Sequence, residues 1–207
     1  MQSQPAQKAG FCFLGTLVTE RPEMTGKNRV VDTVGRRETA VLHMVCGKIA
    51  SGKSTLTARL LDTSRTVLVS EDKWIASLYP GEIHTLTDYT SRAARMRTVL
   101  TEHIQALLAA GISVVLDFPF NTASTRAWGY SLFQVVGCEH RLHYLDVSDE
   151  ICKSRLMARN ASGKHPFQTS EEQYDQITRY FVPPALDEGF NIIVYDHAGK
   201  VRFRTGS

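Results

Sequence analysis

The chain has 207 residues, 43% of them hydrophobic and 22% charged, with a formal net charge of +3 at pH 7. That length suits one core with an appendage, and that composition excludes a collagen, a coiled coil, a disordered tail and a polytopic membrane protein. So mild a positive balance does not by itself argue for a nucleic-acid partner.

Residues 1–39 mix Gly, Pro, Thr and charges without a sustained period of 2 or 3.6, and read as a weakly ordered extension ahead of a domain over 40–207. The apolar run from Phe11 to Val18 after Lys8 lacks a small-residue cleavage site, so it does not read as a secretion signal, and Met24 offers an alternative start. No stretch reaches the roughly 18 apolar residues of a spanning helix. The four cysteines, Cys12, Cys46, Cys138 and Cys152, form no CxxC pair and read as free thiols in a reducing cytoplasm. The seven histidines show no metal-ligand spacing; only His165 falls where it invites attention.

From Ala40 onward short apolar runs alternate with helical stretches, the pattern of βαβ units on a parallel sheet. The first strand is expected over 41–46. Directly after it comes Gly47-Lys48-Ile49-Ala50-Ser51-Gly52-Lys53-Ser54, a full G-x-x-x-x-G-K-[ST] match, opening a helix over 52–61. A triphosphate needs backbone N–H groups turned inward on a loop that tolerates unusual dihedrals, which Gly47 and Gly52 allow. The helix start adds a positive dipole end, Lys53 a cation for the β- and γ-phosphates, and Ser54 a hydroxyl for Mg²⁺. The nucleotide-binding set therefore runs Gly47, Lys48, Ile49, Ala50, Ser51, Gly52, Lys53, Ser54 and Thr55.

A second strand at 67–69 delivers Glu71 and Asp72 to the sheet's carboxyl edge, where open α/β sheets bind ligands. Either carboxylate could take a proton from an acceptor hydroxyl, or cap the next helix. A long helix over 88–110 carries Met96, Val99, Leu100, His103, Ile104 and Leu107 at helical spacing and ends before Gly111. It also carries Arg92, Arg95 and Arg97, which either meet an anionic acceptor or face solvent. Trp74 and Tyr79 either stack on an acceptor or join the core.

A third strand at 112–116 delivers Asp117 to the sheet's carboxyl edge, a Walker-B-like placement, with a turn-stabilising Asx role as the rival reading. Helix 122–136 and a strand at 142–145 follow, and Asp146 reads as part of the next helix cap. Helix 149–159, capped by Ser148, places Arg155 and Arg159 four residues apart, so one helix face can bring both to the same object. The polar run 160–169 fits a lid, and a helix over 170–181 and a fifth strand at 192–195 complete the pattern.

The order of these motifs resembles the small P-loop kinases that include polynucleotide 5′-hydroxyl kinases, chloramphenicol phosphotransferase, zeta toxins and gluconate kinase. The resemblance spans about residues 40–198, and only the phosphate loop carries it residue by residue. It implies a three-layer α/β sandwich with a five-stranded parallel sheet in order 2-3-1-4-5 and a lid. It implies ATP, Mg²⁺ and phosphoryl transfer to a hydroxyl. Asp72 matches the family's general base, with Glu71 as the alternative; Asp117 matches the acid near Mg²⁺, and Arg155 with Arg159 match the lid arginines. Acceptors differ across the family, so the partner expected here is an unnamed hydroxyl compound, a small molecule before a nucleic-acid end. The rival reading is a nucleotide-binding regulatory module, or slow ATPase, acting through a protein partner. The larger oligomeric ATPases share the loop, but about 150 residues after Ser54 leave little room for their added helical domain.

Overall fold

A computed structural model describes residues 39–61, 65–163 and 169–206. Residues 1–38 of the expected N-terminal extension, with Cys12, and half of the expected lid, with His165, lie outside the described residues.

β1 (Val41–Cys46) sits between β3 (Ser113–Asp117) and β4 (Glu139–Leu145), with β2 (Thr66–Ser70) beyond β3 and β5 (Ile192–Tyr195) beyond β4. These five strands are parallel and in the expected order. A sixth strand, β6 (Val201–Arg204), corrects the strand count by pairing antiparallel with β5. Its sequence Val-Arg-Phe-Arg is exposed throughout, so it offered no buried apolar run to detect. The hairpin is set by Asp196, whose Oδ1 accepts from the N–H groups of Ala198 and Lys200, both at 2.9 Å.

The helices are α1 (Lys53–Leu60), α2 (Glu71–Leu78), α3 (Leu86–Ala109), α4 (Ala123–Val136), α5 (Asp149–Ala161) and α6 (Glu171–Thr178). α2 went unseen in the sequence because it follows β2 without a loop and buries a single apolar side chain, Ile75, beside Glu71. In α3 the buried stripe is Ala93, Met96, Leu100, Ile104 and Leu108. Val99 was expected in that stripe but is 76% exposed, because the helix turns this position away from the sheet. Capping boxes start α3 at Thr85 and Asp88 and start α6 at Ser170 and Gln173. Ser148 does stand at the α5 N-cap, but its side chain makes no capping hydrogen bond there.

Alternate residues of the strands feed two cores, each of whose large side chains is worth about 1.5–3 kcal/mol when buried. Leu42, Met44 and Cys46 of β1 join Leu116, Leu100, Ile104 and Leu132 on the side of α3 and α4. Leu56, Leu145, Cys152, Leu156, Tyr174 and Ile193 fill the side of α1, α5 and α6.

On the β1, β4 and β5 surface two buried imidazoles form a chain: His43 Nδ1 lies 3.0 Å from His143 Nε2, and His143 Nδ1 lies 2.8 Å from the Tyr195 hydroxyl. Burial drops His43 from 6.5 to about 4 and His143 to about 3, so both are neutral at pH 7. The unfolded chain therefore binds more protons than the folded chain below about pH 6.5, and each histidine erodes stability as pH falls from there toward its folded value. Buried Glu71 and half-buried Asp117 are shifted upward and act in the opposite direction, so the histidine effect is best read by difference. Between pH 7 and 5, native protein is expected to lose about 2 kcal/mol relative to His143→Asn in urea unfolding. A constant difference would show that His143 accepts its proton in the folded chain.

Candidate active site

The chain runs from β1 toward β2 and β3 on one side and then crosses to β4 on the other, so a crevice opens at the carboxyl end of β1. The phosphate loop fills that end. Gly47 has φ 154, and a Cβ there would lie 2.7 Å from Ser51 Oγ and 3.2 Å from the Leu145 carbonyl. Gly52, the N-cap of α1, has φ 111, a left-handed value that a side chain strains. Both glycines are thus required by geometry. Ala50 also takes a left-handed φ of 60, a local strain held by the tight loop.

The cleft in front of the loop holds about 1080 Å³ and is lined by Ser51 to Thr55, Asp72, Asp117, Arg155 and Arg159, among others. Ile49 and Ala50 of the expected nucleotide-binding set line it as well. Lys53 folds back on its own loop, donating to the carbonyls of Gly47 at 2.7 Å and Lys48 at 2.9 Å, and burial lowers the pKa of its ammonium. Asp117, at the end of β3, faces the same space, and burial raises its carboxyl. Lys48 differs from its neighbours: its ammonium pairs with Asp149 at 2.8 Å, and that carboxylate oxygen also accepts the Tyr174 hydroxyl at 2.7 Å. Only its backbone faces the loop's task.

The two candidate bases part company. Glu71 is 1% exposed, receives Arg97 Nη1 at 3.0 Å and the Tyr89 hydroxyl at 2.9 Å, and does not line the cleft. Asp72 lines it, and its Oδ1 lies 2.7 Å from the same Tyr89 hydroxyl. One phenolic proton thus serves both carboxylates.

The two α5 arginines also diverge. Arg155 donates to Ser51 O at 3.2 Å and His197 O at 2.7 Å, tying the phosphate loop to the β5–β6 turn. Arg159 lies near enough to Asp72 for the two charges to interact, and its Nε is buried without a hydrogen-bond partner. Ser51 Oγ is a second buried, unpartnered polar atom on the same cleft. Each is a group that a bound anion would satisfy.

Trp74 and Tyr79 do not line the cleft: Trp74 is 40% exposed on α2, and Tyr79 packs against the core under the Arg92 guanidinium. Asp146, expected in the cap of the next helix, instead accepts from the Tyr144 hydroxyl and Arg202, and it does not line the cleft.

A family model described as AAA domain, AAA_33, matches residues 42–184. The chain belongs to this family. The AAA-domain chain is also similar in fold to a candidate kinase of Chloroflexus aurantiacus, at 21% identity over 77% of this chain and 86% of that one, with a TM-score of 0.61. A sugar kinase of Janibacter sp. HTCC2649 aligns at 20% identity over 77% of this chain and 86% of its own, TM-score 0.52. Chaetomium thermophilum Kti12 in complex with ADP-AlF3 aligns at 15% identity over 75% and 88%, TM-score 0.56. No curated protein matches the chain. The fold is thus that of P-loop kinases, with a mostly parallel six-stranded sheet flanked by helices.

Sequence reasoning missed one residue of this AAA-domain site. Asn121, four residues beyond Asp117, accepts the Gly47 N–H on Oδ1 at 2.9 Å and the Val182 N–H on its carbonyl at 2.9 Å. Arg126, fully buried, fixes the segment opposite by donating to Val182 O and Glu188 Oε1, each at 2.8 Å. A polar residue just past a strand's carboxyl end was the available signal, hidden by the run Phe118-Pro119-Phe120. Asn121→Ala leaves the first N–H of the loop without its partner, and ATP affinity measured by titration is expected to fall about tenfold. Unchanged affinity would show that the loop holds its shape without that bond.

Proposed function

We propose that the protein transfers the γ-phosphoryl group of ATP to a hydroxyl acceptor. The observation that carries this reading is that Asp72 stands in one cleft with Lys53, Asp117 and Arg159. A simple nucleotide-binding module needs the loop and its lysine; it has no need of an exposed carboxylate on the same cleft beside an arginine whose Nε is buried without a partner.

The loop from Gly47 to Thr55 cradles the triphosphate, and Lys53 exchanges its two loop carbonyls for the β- and γ-phosphate oxygens. Ser54 and Asp117 suit Mg²⁺, since one hydroxyl and one carboxylate leave the remaining positions to phosphate and water, as that ion prefers. When bound, Mg²⁺ supplies neutralisation of charge on the β- and γ-phosphates. Asp72 accepts the acceptor's O–H proton, the acceptor oxygen bonds to the γ-phosphorus, the bond to the β–γ bridging oxygen breaks, and ADP leaves. Arg159 stabilises charge spread over the transferring group, while Arg155 holds the loop against the β5–β6 turn.

No helix among the described residues is long and apolar enough to cross a membrane. With Cys46, Cys138 and Cys152 all free, this reading places the reaction in the cytoplasm.

The test is transfer of label from γ-labelled ATP. Label recovered on an added nucleoside, sugar, hydroxylated antibiotic or oligonucleotide 5′ end, with matching ADP, supports the kinase. Stoichiometric ATP binding with label released only as inorganic phosphate, whatever the acceptor, would move the assignment to the regulatory module.

A further inference from the structure

Resting on the kinase reading, we infer that the acceptor is an uncharged hydroxyl compound with an apolar face, and that phosphorylated or otherwise anionic acceptors are excluded. The cleft is electrostatically divided. Its cations among the described residues are Lys53, Arg59, Arg155 and Arg159, carried by the phosphate loop, α1 and α5. The rest of the lining is built differently, from Ile83, His84, Thr85, Leu86 and Tyr89 at the start of α3 and from Pro119 and Ile177, with no Lys or Arg among these residues.

The arginines that the sequence offered for an anionic acceptor are turned to other tasks. Arg92 pairs with Glu82 at 3.1 Å and covers the Tyr79 ring at 5.2 Å; its Nε is buried without a hydrogen-bond partner, but the residue does not line the cleft. Arg97 pairs with buried Glu71 at 3.0 Å and lies 5.9 Å from the Trp128 ring centre. Arg95 is exposed, and none of the three lines the cleft. An anionic acceptor would bring its charge toward the carboxylates of Asp72 and Asp117, and toward the γ-phosphate, with Arg159 already shared between Asp72 and the transferring group. An uncharged acceptor avoids that repulsion.

The remaining chemistry of the wall describes what does fit. Leu86 is 49% exposed at the start of α3 and forms an apolar lip with Ile83. Gln173 and Gln176 of α6 offer neutral donors and acceptors to further hydroxyls. Such a wall takes a molecule that is apolar on one side and hydroxylated on the other.

The experiment uses the full chain with Mg²⁺ and ATP and compares matched acceptors by stimulated ADP formation: phenyl glucoside against glucose 6-phosphate, and adenosine against adenosine 3′-monophosphate, with a 5′-hydroxyl oligonucleotide alongside. The uncharged member of an active pair is expected to exceed its anionic partner at least about tenfold in kcat/KM. Leu86→Lys, which adds a cation at the lip, is expected to narrow that ratio about tenfold, with ATP affinity unchanged. Faster turnover of the anionic members by native protein overturns the acceptor class and leaves the kinase standing. Absence of stimulation by every member, with ATP bound, overturns both.

Discussion

Lys53→Ala is expected to lower acceptor-stimulated ADP formation by about 10³-fold or more. The reason lies in where the ammonium sits. It is half-buried in the cleft and donates its hydrogen bonds to the carbonyls of Gly47 and Lys48. It is thus a cation waiting within its own loop, able to swing to phosphate oxygens at the cost of two backbone contacts. Its alanine replacement removes the charge that follows the β- and γ-phosphates into the transition state. The bond from Gly47 N–H to Asn121 is untouched, so the loop keeps its anchor. Single-turnover measurement at saturating ATP, with a thermal melt to confirm the fold, checks this, and turnover within tenfold of native would remove Lys53 from the chemistry.

Asp72→Asn is expected to cut transfer by about 10²–10⁴-fold while leaving ATP affinity as it was. The amide keeps the shape and can still accept the Tyr89 hydroxyl that now lies 2.7 Å from Asp72 Oδ1, so positioning survives and only proton acceptance is lost. Glu71→Gln makes the contrast. That carboxylate is 1% exposed, paired with Arg97 and outside the cleft, so its neutralisation should cost stability, about 1–3 kcal/mol by denaturant unfolding, with a smaller effect on transfer. Calorimetric titration with ATP and acceptor-dependent turnover separate the two variants. Weakened ATP binding in Asp72→Asn would move that residue to the nucleotide side and leave the base unassigned.

These two residues mark how unevenly the site could be read from sequence. The loop from Gly47 to Ser54 is contiguous, and each of its parts has a local physical reason, so it was legible directly. Glu71 and Asp72 are adjacent, and nothing in their spacing says which faces the nucleotide. The start of α2 decides it by turning Glu71 toward Arg97 and Asp72 toward the cleft. Arg155 and Arg159 share a helix face, as their spacing required, yet they end on different objects, because the turn after β5 reaches Arg155 first. Asn121 could be recognised only once β1 and β3 were known to be neighbours with their carboxyl ends level.

The sequence by itself determined the parallel sheet, its order through β5, the phosphate loop and the carboxyl-edge position of Asp72 and Asp117. All but the sheet order follow from strand periodicity and chain connectivity, which are local or nearly so; the order was implied by the resemblance to the small P-loop kinases. Tertiary structure alone decided the exposed edge strand β6, the buried His43–His143–Tyr195 chain, the engagement of Arg92 and Arg97 by carboxylates, and a cleft lining at the start of α3 that carries no Lys or Arg. Each of these depends on which side chains meet across elements distant in sequence, and burial and pairing then set whether a charge is free to meet a ligand.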